Sequence, residues 1–205
     1  MRIRVCLVLL AIGTVANAAP FTNGSFETGP AAGSFLALGS GNTSITGWTV
    51  GGGGIDYIGT YWQAEEGTRN LDLSRTNAGS ISQTFDTILN QIYSVNFWLA
   101  GNPTGGPAIK TLRVSAPGTQ QEYTFDTTGR TRTAMGWVEH EFLFTAASTS
   151  TTLTFASLNS TAYGPTLDNV SVTPQQTIVP EPGTWMLLGG GLIALGLRRK
   201  ALRKS

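Results

Sequence analysis

Between residues 19 and 173 the apolar side chains come in short runs of period two, and Gly, Pro, Asn, Ser or Thr breaks each run before it reaches helical length. Such alternation puts one row of side chains on each face of a strand, and nothing here repeats at the spacing of an amphipathic helix. The clearest case is 91–100, where Tyr93, Val95, Phe97 and Leu99 share a face. Strands are also expected over 80–86, 110–116, 121–127, 137–145, 151–157 and 166–173, with turns at Gly101-Asn102-Pro103 and Ala116-Pro117-Gly118. Short strands at this spacing predict an all-β domain over 19–173, an antiparallel sandwich for which a jelly roll is the favoured topology.

The two ends of the chain are of another kind. Arg2 and Arg4, an apolar stretch over 5–15 and Ala16-Asn17-Ala18 read as a signal peptide over 1–18, cleaved before Ala19. The single cysteine, Cys6, lies inside it, so the mature chain can form neither a disulfide nor a thiolate metal site. The whole chain is near neutral at +1, but residues 19–179 hold six basic residues against eleven acidic ones, a net charge of −5. Nucleic acid needs a basic footprint, so it is not an expected partner.

Residues 174–184 form a linker whose three prolines keep it extended. The run 185–197 carries no charge and is followed by Arg198, Arg199, Lys200, Arg203 and Lys204. As a hydrophobic helix it would reach only about 20 Å across a hydrocarbon core of about 30 Å, which suits a transient anchor. The basic cluster stays cytoplasmic, leaving the domain outside the membrane. Val179-Pro180-Glu181-Pro182, the glycine-rich apolar run and the arginines beginning at Arg198 and Arg199 together resemble the PEP-CTERM sorting signal of Gram-negative bacteria. That resemblance implies an exosortase partner, which would cleave near Pro-Glu-Pro after the tail has held the chain in the cytoplasmic membrane, and a secreted or cell-surface location.

Asn23-Gly24-Ser25-Phe26-Glu27 near the start of the domain and Leu167-Asp168-Asn169-Val170 near its end resemble the choice-of-anchor C family and related plant cell-wall domains, which have a galactose-binding-like fold. Landmarks between them are Gly47-Trp48, Ile55-Asp56-Tyr57-Ile58, Tyr61-Trp62, Leu71-Asp72-Leu73, Ala100-Gly101-Asn102-Pro103 and Tyr163-Gly164-Pro165. In a jelly roll the terminal strands commonly lie side by side. The resemblance further implies a structural calcium ion held by Glu27 and Asp168. The alternative is that Asp168 caps a turn and Glu27 is a solvated charge.

Ligand chemistry is expected in the loop-rich segment 48–62. It holds Trp48, Tyr57, Tyr61 and Trp62, with Asp56 and four consecutive glycines at 51–54. An aromatic face suits the C–H face of a sugar ring, and a carboxylate beside it orients the hydroxyls. Asp56, Tyr57, Tyr61 and Trp62 are the candidate carbohydrate-binding residues; core packing is the alternative for each aromatic, and for Trp48 the favoured one. Tyr61 and Trp62 would point to opposite faces of a strand. In Glu139-His140-Glu141 a strand sends the imidazole and the carboxylates to opposite faces, and Glu65-Glu66 would furnish a glycosidase acid only with a second carboxylate facing it across a cleft, roughly 5 to 9.5 Å away. The expectation is a non-enzymatic surface or biofilm-matrix protein that binds an exopolysaccharide or cell-wall glycan. The alternatives are an adhesive protein-binding surface and a glycan-processing enzyme.

Overall fold

A computed structural model of the protein describes residues 19–175. The signal peptide, the sorting motif with Val179, Pro180, Glu181, Pro182, Arg198 and Arg199, and the helix expected over 185–197 lie outside the described residues. Among the described residues there are eleven strands: β1 Phe35–Leu38, β2 Thr49–Gly52, β3 Ile55–Ile58, β4 Asn70–Asp72, β5 Gly79–Asp86, β6 Ile92–Gly101, β7 Ile109–Ala116, β8 Thr119–Asp126, β9 Val138–Thr145, β10 Ser150–Ser157 and β11 Pro165–Pro174. They form a six-stranded sheet, β1-β3-β4-β11-β6-β9, and a five-stranded sheet, β2-β5-β10-β7-β8, every pairing antiparallel. All seven strands expected from alternation are present.

Register decides which face each residue takes. In the six-stranded sheet Tyr57 pairs with Leu71, Leu71 with Leu167 and Leu167 with Leu99. All four are fully buried, in one row facing the other sheet. Facing them from the five-stranded sheet are Ile81 and Phe85, Leu112 and Val114, and Leu153 and Phe155. Trp48 is buried as expected, its Nε1 donating to the Asn23 carbonyl at 2.9 Å. His140 of β9 packs against Phe97 and Tyr123 while Glu141 accepts from Ser94 on the other face, so that triplet is an ordinary strand.

The row one residue over in the same sheet is Asp56, Asp72, Thr166 and Ala100, on the outer face. An outer face would normally meet water, yet Asp72, Thr166 and Ala100 are buried. Loops lie over them, and those loops shape the candidate site.

The two ends of the domain meet, as is common in a jelly roll. Val170 N donates to the Gly24 carbonyl at 2.9 Å, beside a β-bulge in β11 between Asp168 and Ser171. A Cβ at position 24 would lie 1.7 Å from the Val170 carbonyl oxygen, so only glycine lets the two segments close. Gly24→Ala is expected to lower stability by about 3 kcal/mol, the upper end of overpacking costs, with strand content kept; a melting temperature within a degree of the parent would show that this contact is not needed.

Candidate functional site

Three loops cover the outer face of the six-stranded sheet. The β3–β4 loop, residues 59–69, is the longest of them. Trp62 Nε1 donates to Asn70 Oδ1 at 2.7 Å, and Asp168 Oδ2 accepts from Glu65 N at 2.8 Å and Glu66 N at 3.1 Å. Its outer edge is stitched to the segment before β9: Gln63 N donates to the Arg132 carbonyl, and Trp137 Nε1 to the Gln63 carbonyl. The loops after β6 and after β10 are tied to each other. Asp72 Oδ2 accepts from Asn102 Nδ2 at 2.7 Å, while Asp72 Oδ1 accepts from Ser74 N at 3.0 Å and Gly164 N at 3.2 Å. The buried Lys110 donates from Nζ to the carbonyls of Gly105 at 2.7 Å and Tyr163 at 2.9 Å, one from each loop. Gly105 has no substitute here, because a Cβ would come within 2.4 Å of the Tyr163 ring.

Between these loops lies a cleft of about 170 Å³, lined by Phe35, Asp56, Ile58, Tyr61, Trp62, Asp72, Arg75, Asn102, Thr104, Ala162 and Tyr163. The rings of Phe35 and Tyr163 stand exposed at its rim, and Tyr61 is half-buried between Phe35 and Trp62. Arg132 holds Tyr61 in place, donating from Nη2 to its hydroxyl at 2.6 Å. The cleft therefore combines flat apolar surfaces with the Asp56 carboxylate as acceptor and with amide and guanidinium donors from Asn102 and Arg75.

Electrostatics separates the two carboxylates, which face each other across β3 and β4 in register. Asp72 is buried and fully engaged; burial pushes it up to about 7, against the pull of the donors from Asn102, Ser74 and Gly164. Asp56 is half-buried, and among the described residues no group donates a hydrogen bond to it. Burial raises it to about 6, with Arg75 opposing. Burial also lowers Lys110, with Asp72 opposing. On the outer face of the six-stranded sheet, Asn70 Nδ2 and Thr166 Oγ1 are buried polar atoms without a protein partner among the described residues.

Of the four candidate sugar-binding residues, the structure brings Asp56, Tyr61 and Trp62 into this cleft and leaves Tyr57 out. Tyr57 follows Asp56 in β3, so its side chain takes the opposite face; it is fully buried and donates from its hydroxyl to the Phe26 carbonyl at 2.6 Å. The segment is thus not a loop throughout, since β2 and β3 lie within it. Trp62, only 5% exposed, is the floor of the cleft and part of the core. The rim aromatics Phe35 and Tyr163, with Arg75 and Asn102, carry the parts that reasoning on 48–62 alone missed. The landmarks Ala100-Gly101-Asn102-Pro103 and Tyr163-Gly164-Pro165 carry Asn102 and Tyr163, whereas no landmark marks Phe35 or Arg75.

Glu27 and Asp168 both act on the β3–β4 loop. Glu27 Oε1 accepts from Thr68 N and Arg69 N, both at 2.7 Å, and its Oε2 from Thr68 Oγ1 at 2.9 Å. Asp168, besides the Glu65 and Glu66 amides, accepts from Asn169 N at 2.7 Å. An N–H donor and a cation compete for the same lone pairs, and these donors take three of the four lone-pair sites on each carboxylate. Among the described residues no group of three or more His, Cys, Asp or Glu could hold a metal. Glu65 and Glu66 contribute backbone amides, and the Glu65 carboxylate accepts from Asn169 Nδ2 at 2.8 Å.

Fold and site define a two-sheet β-sandwich domain with a small aromatic and acidic cleft on one outer face. The model of the family described as "Protein of unknown function (DUF642)" matches residues 19–173, and the chain belongs to that family. A second match, to the PEP-CTERM protein-sorting motif, covers residues 179–200. The chain is accordingly an exported bacterial surface protein with an exosortase sorting signal. It is 29% identical over 205 residues to halomucin of Haloquadratum walsbyi; the match covers 89% of this chain but only 2% of that protein's length. Similar solved structures include TmCBM61 in complex with β-1,4-galactotriose, at 16% identity and TM-score 0.47, covering 77% of this chain and 99% of that one. A family 35 carbohydrate-binding module from Clostridium thermocellum shows 14% identity and TM-score 0.46, with 69% and 99% covered. A xylan-binding domain from Paenibacillus barcinonensis shows 19% and 0.47, with 72% and 99% covered.

The Asp56 shift predicts a pH dependence. Its folded-state value of about 6 lies above the ordinary aspartate range. As pH rises from about 4 the unfolded chain loses this proton first, so the folded state is progressively disfavoured until pH passes about 6. Asp56→Asn is expected to melt higher than the parent at pH 7.5, and the gap is expected to close by about pH 4; equal melting temperatures at pH 7.5 would mean that the carboxylate is not desolvated.

Proposed function

We propose that the domain is a non-catalytic carbohydrate-binding module that grips one or two rings of a cell-surface or matrix polysaccharide in this cleft. The observation that carries the reading is Asp56: a half-buried carboxylate raised by burial, with no donor from the described residues, facing a cleft rimmed by aromatic rings. A group kept at a cost to stability points to a ligand that supplies what the fold does not, and vicinal sugar hydroxyls are donors of that kind. The exposed faces of Tyr163 and Phe35 offer apolar surface for a sugar ring, and Arg75 and Asn102 offer donors. At about 170 Å³ the cleft is smaller than the pockets that enclose a whole small molecule, which suits a chain that stays mostly in solvent.

Asp72 is held by three donors and buried, so the pair Asp56 and Asp72 does not offer two free carboxylates for glycoside hydrolysis. The sorting motif supports a route in which the tail first anchors the chain in the cytoplasmic membrane of a Gram-negative bacterium, with the domain outside, before exosortase processing.

Retention on immobilised polysaccharides, read beside melting temperature, tests the binding reading. Tyr163→Ala is expected to weaken binding by up to about 1–3 kcal/mol, the range for an aromatic stacked on a nucleobase taken as an upper guide, and Asp56→Ala to weaken it at unchanged or higher melting temperature. Trp62→Ala is expected to cost about 3–5 kcal/mol of stability, as for a core aromatic. Undiminished retention by both Tyr163→Ala and Asp56→Ala would remove the cleft from any role in binding.

A further inference from the structure

At the other end of the sandwich, three turns and the end of the described chain come together. The β5–β6 turn, the β7–β8 turn at Pro117-Gly118 and the β9–β10 turn lie there, and β11 ends at Pro174 opposite Tyr93. Ala19 N is held at the same end by Asp86 Oδ2 at 2.5 Å.

The β5–β6 turn is fixed by its own backbone. Asn90 takes a left-handed φ of 65°, Asn90 N donates to the Ala146 carbonyl at 2.8 Å, and Ala146 N donates back to Gln91 at 2.9 Å. Thr87 Oγ1 donates to the Ser148 carbonyl, and Ile88 N to the Tyr93 hydroxyl, both at 3.0 Å. Held in this way, Ile88 is 67% exposed and Leu89 52% exposed, each with a wholly apolar side chain. Ile92 and Leu143 are exposed beside them and line an open hollow of about 520 Å³ with Pro117. Apolar side chains on a loose loop can fold back; here the hydrogen bonds keep them pointing outward, which is the mark of an interaction face.

The turns at this end carry no charged side chain, and the charges that border them, the Asp86 carboxylate and the Ala19 amine it holds, are paired with each other. No Asp, Glu, Lys, Arg or His occurs in residues 87–92, 115–121, 142–152 or 171–175, in a domain with eleven acidic and six basic residues. Charges near a low-dielectric surface are costly, and here they are absent over four separate segments that the fold brings together. Only ten residues, 175–184, separate the end of β11 from the apolar run at 185–197. In extended form they reach about 31 Å, so an anchored chain keeps this face within reach of the bilayer.

From this we infer that the apolar turns at this end of the sandwich, which carry no charged side chain, rest on the lipid bilayer surface, with Ile88 and Leu89 in the interfacial layer. The inference rests on the anchored state proposed above. The cleft then lies far from the membrane: Asn102, in its wall, is one full length of β6 from Ile92, about 33 Å for a ten-residue strand. A docked domain would present its polysaccharide site outward while the tail awaits the exosortase.

The test uses the chain from Ala19 to Ser205 in vesicles of phosphatidylethanolamine and phosphatidylglycerol. This chain has no cysteine, so single cysteines from Leu89→Cys, Thr104→Cys and Ala194→Cys can each carry a fluorophore, quenched by nitroxide-headgroup lipids. Quenching is expected at 89 and 194 and not at 104, and adding Ile88→Asp is expected to reduce the signal at 89 at unchanged melting temperature. Quenching at 194 without quenching at 89 overturns the inference and leaves the anchored tail standing. Equal quenching at 89 and 104 overturns the orientation. Absence of quenching at 194 overturns the anchored state, and this inference with it.

Discussion

The Asp168 carboxylate, buried on the outer face of the six-stranded sheet, is the constraint on which the rest of the site depends. Its oxygens accept the amides of Glu65, Glu66 and Asn169, and so fasten the middle of an eleven-residue loop, 59–69, to the sheet beneath it. The β-bulge between Asp168 and Ser171, with Asn169 at a φ of 46°, bends β11 where the N-terminal segment closes on it. Once the loop is down, Trp62 is seated on Asn70 and Tyr61 stands between Phe35 and Arg132. Burial pushes Asp168 up to about 7 while its three backbone donors pull the other way. The site is thus built on a desolvated acid that the loop amides must keep satisfied.

A second consequence is that the sandwich has two unlike ends. Where β6 ends and β11 begins, buried Asp72 and Lys110 tie two loops together through Asn102, Gly105 and Tyr163, and the ionisable groups gather round a cleft. Where β6 begins and β11 ends, the turns carry amides, hydroxyls and apolar side chains only. Both follow from the same antiparallel topology, which sends alternate connections to opposite ends. A polar network at one end and a neutral surface at the other give the domain a direction.

The fold was legible wherever a strand was long enough to alternate with one face in the core. β5 to β11 each run eight residues or more and were expected within about two residues. β1 to β4 have three or four residues, too few to establish a period. In β3 and β4 the alternation is also masked, because the covering loops bury the outer face: Ile58, Asn70 and Asp72 are as inaccessible as the inward residues. That is why Tyr57 looked like a surface ring when strand parity sends it inward. Asp56 and Tyr61 were recognised from local clustering, whereas Asp72, Asn102 and Tyr163 reach the same cleft from distant segments, a convergence that only the sheet order 3-4-11-6 supplies.

Amide hydrogen exchange at Glu65 and Glu66 tests the central claim most directly, because these two N–H groups exist in protected form only if Asp168 holds the loop against the sheet. In the native chain they are predicted to exchange as slowly as the amides of β4. Asp168→Ala is predicted to speed them by at least about tenfold while β7 amides keep their protection, the pattern of a local rather than global opening. Exchange of the Glu65 and Glu66 amides at free-loop rates in the native chain would contradict the account.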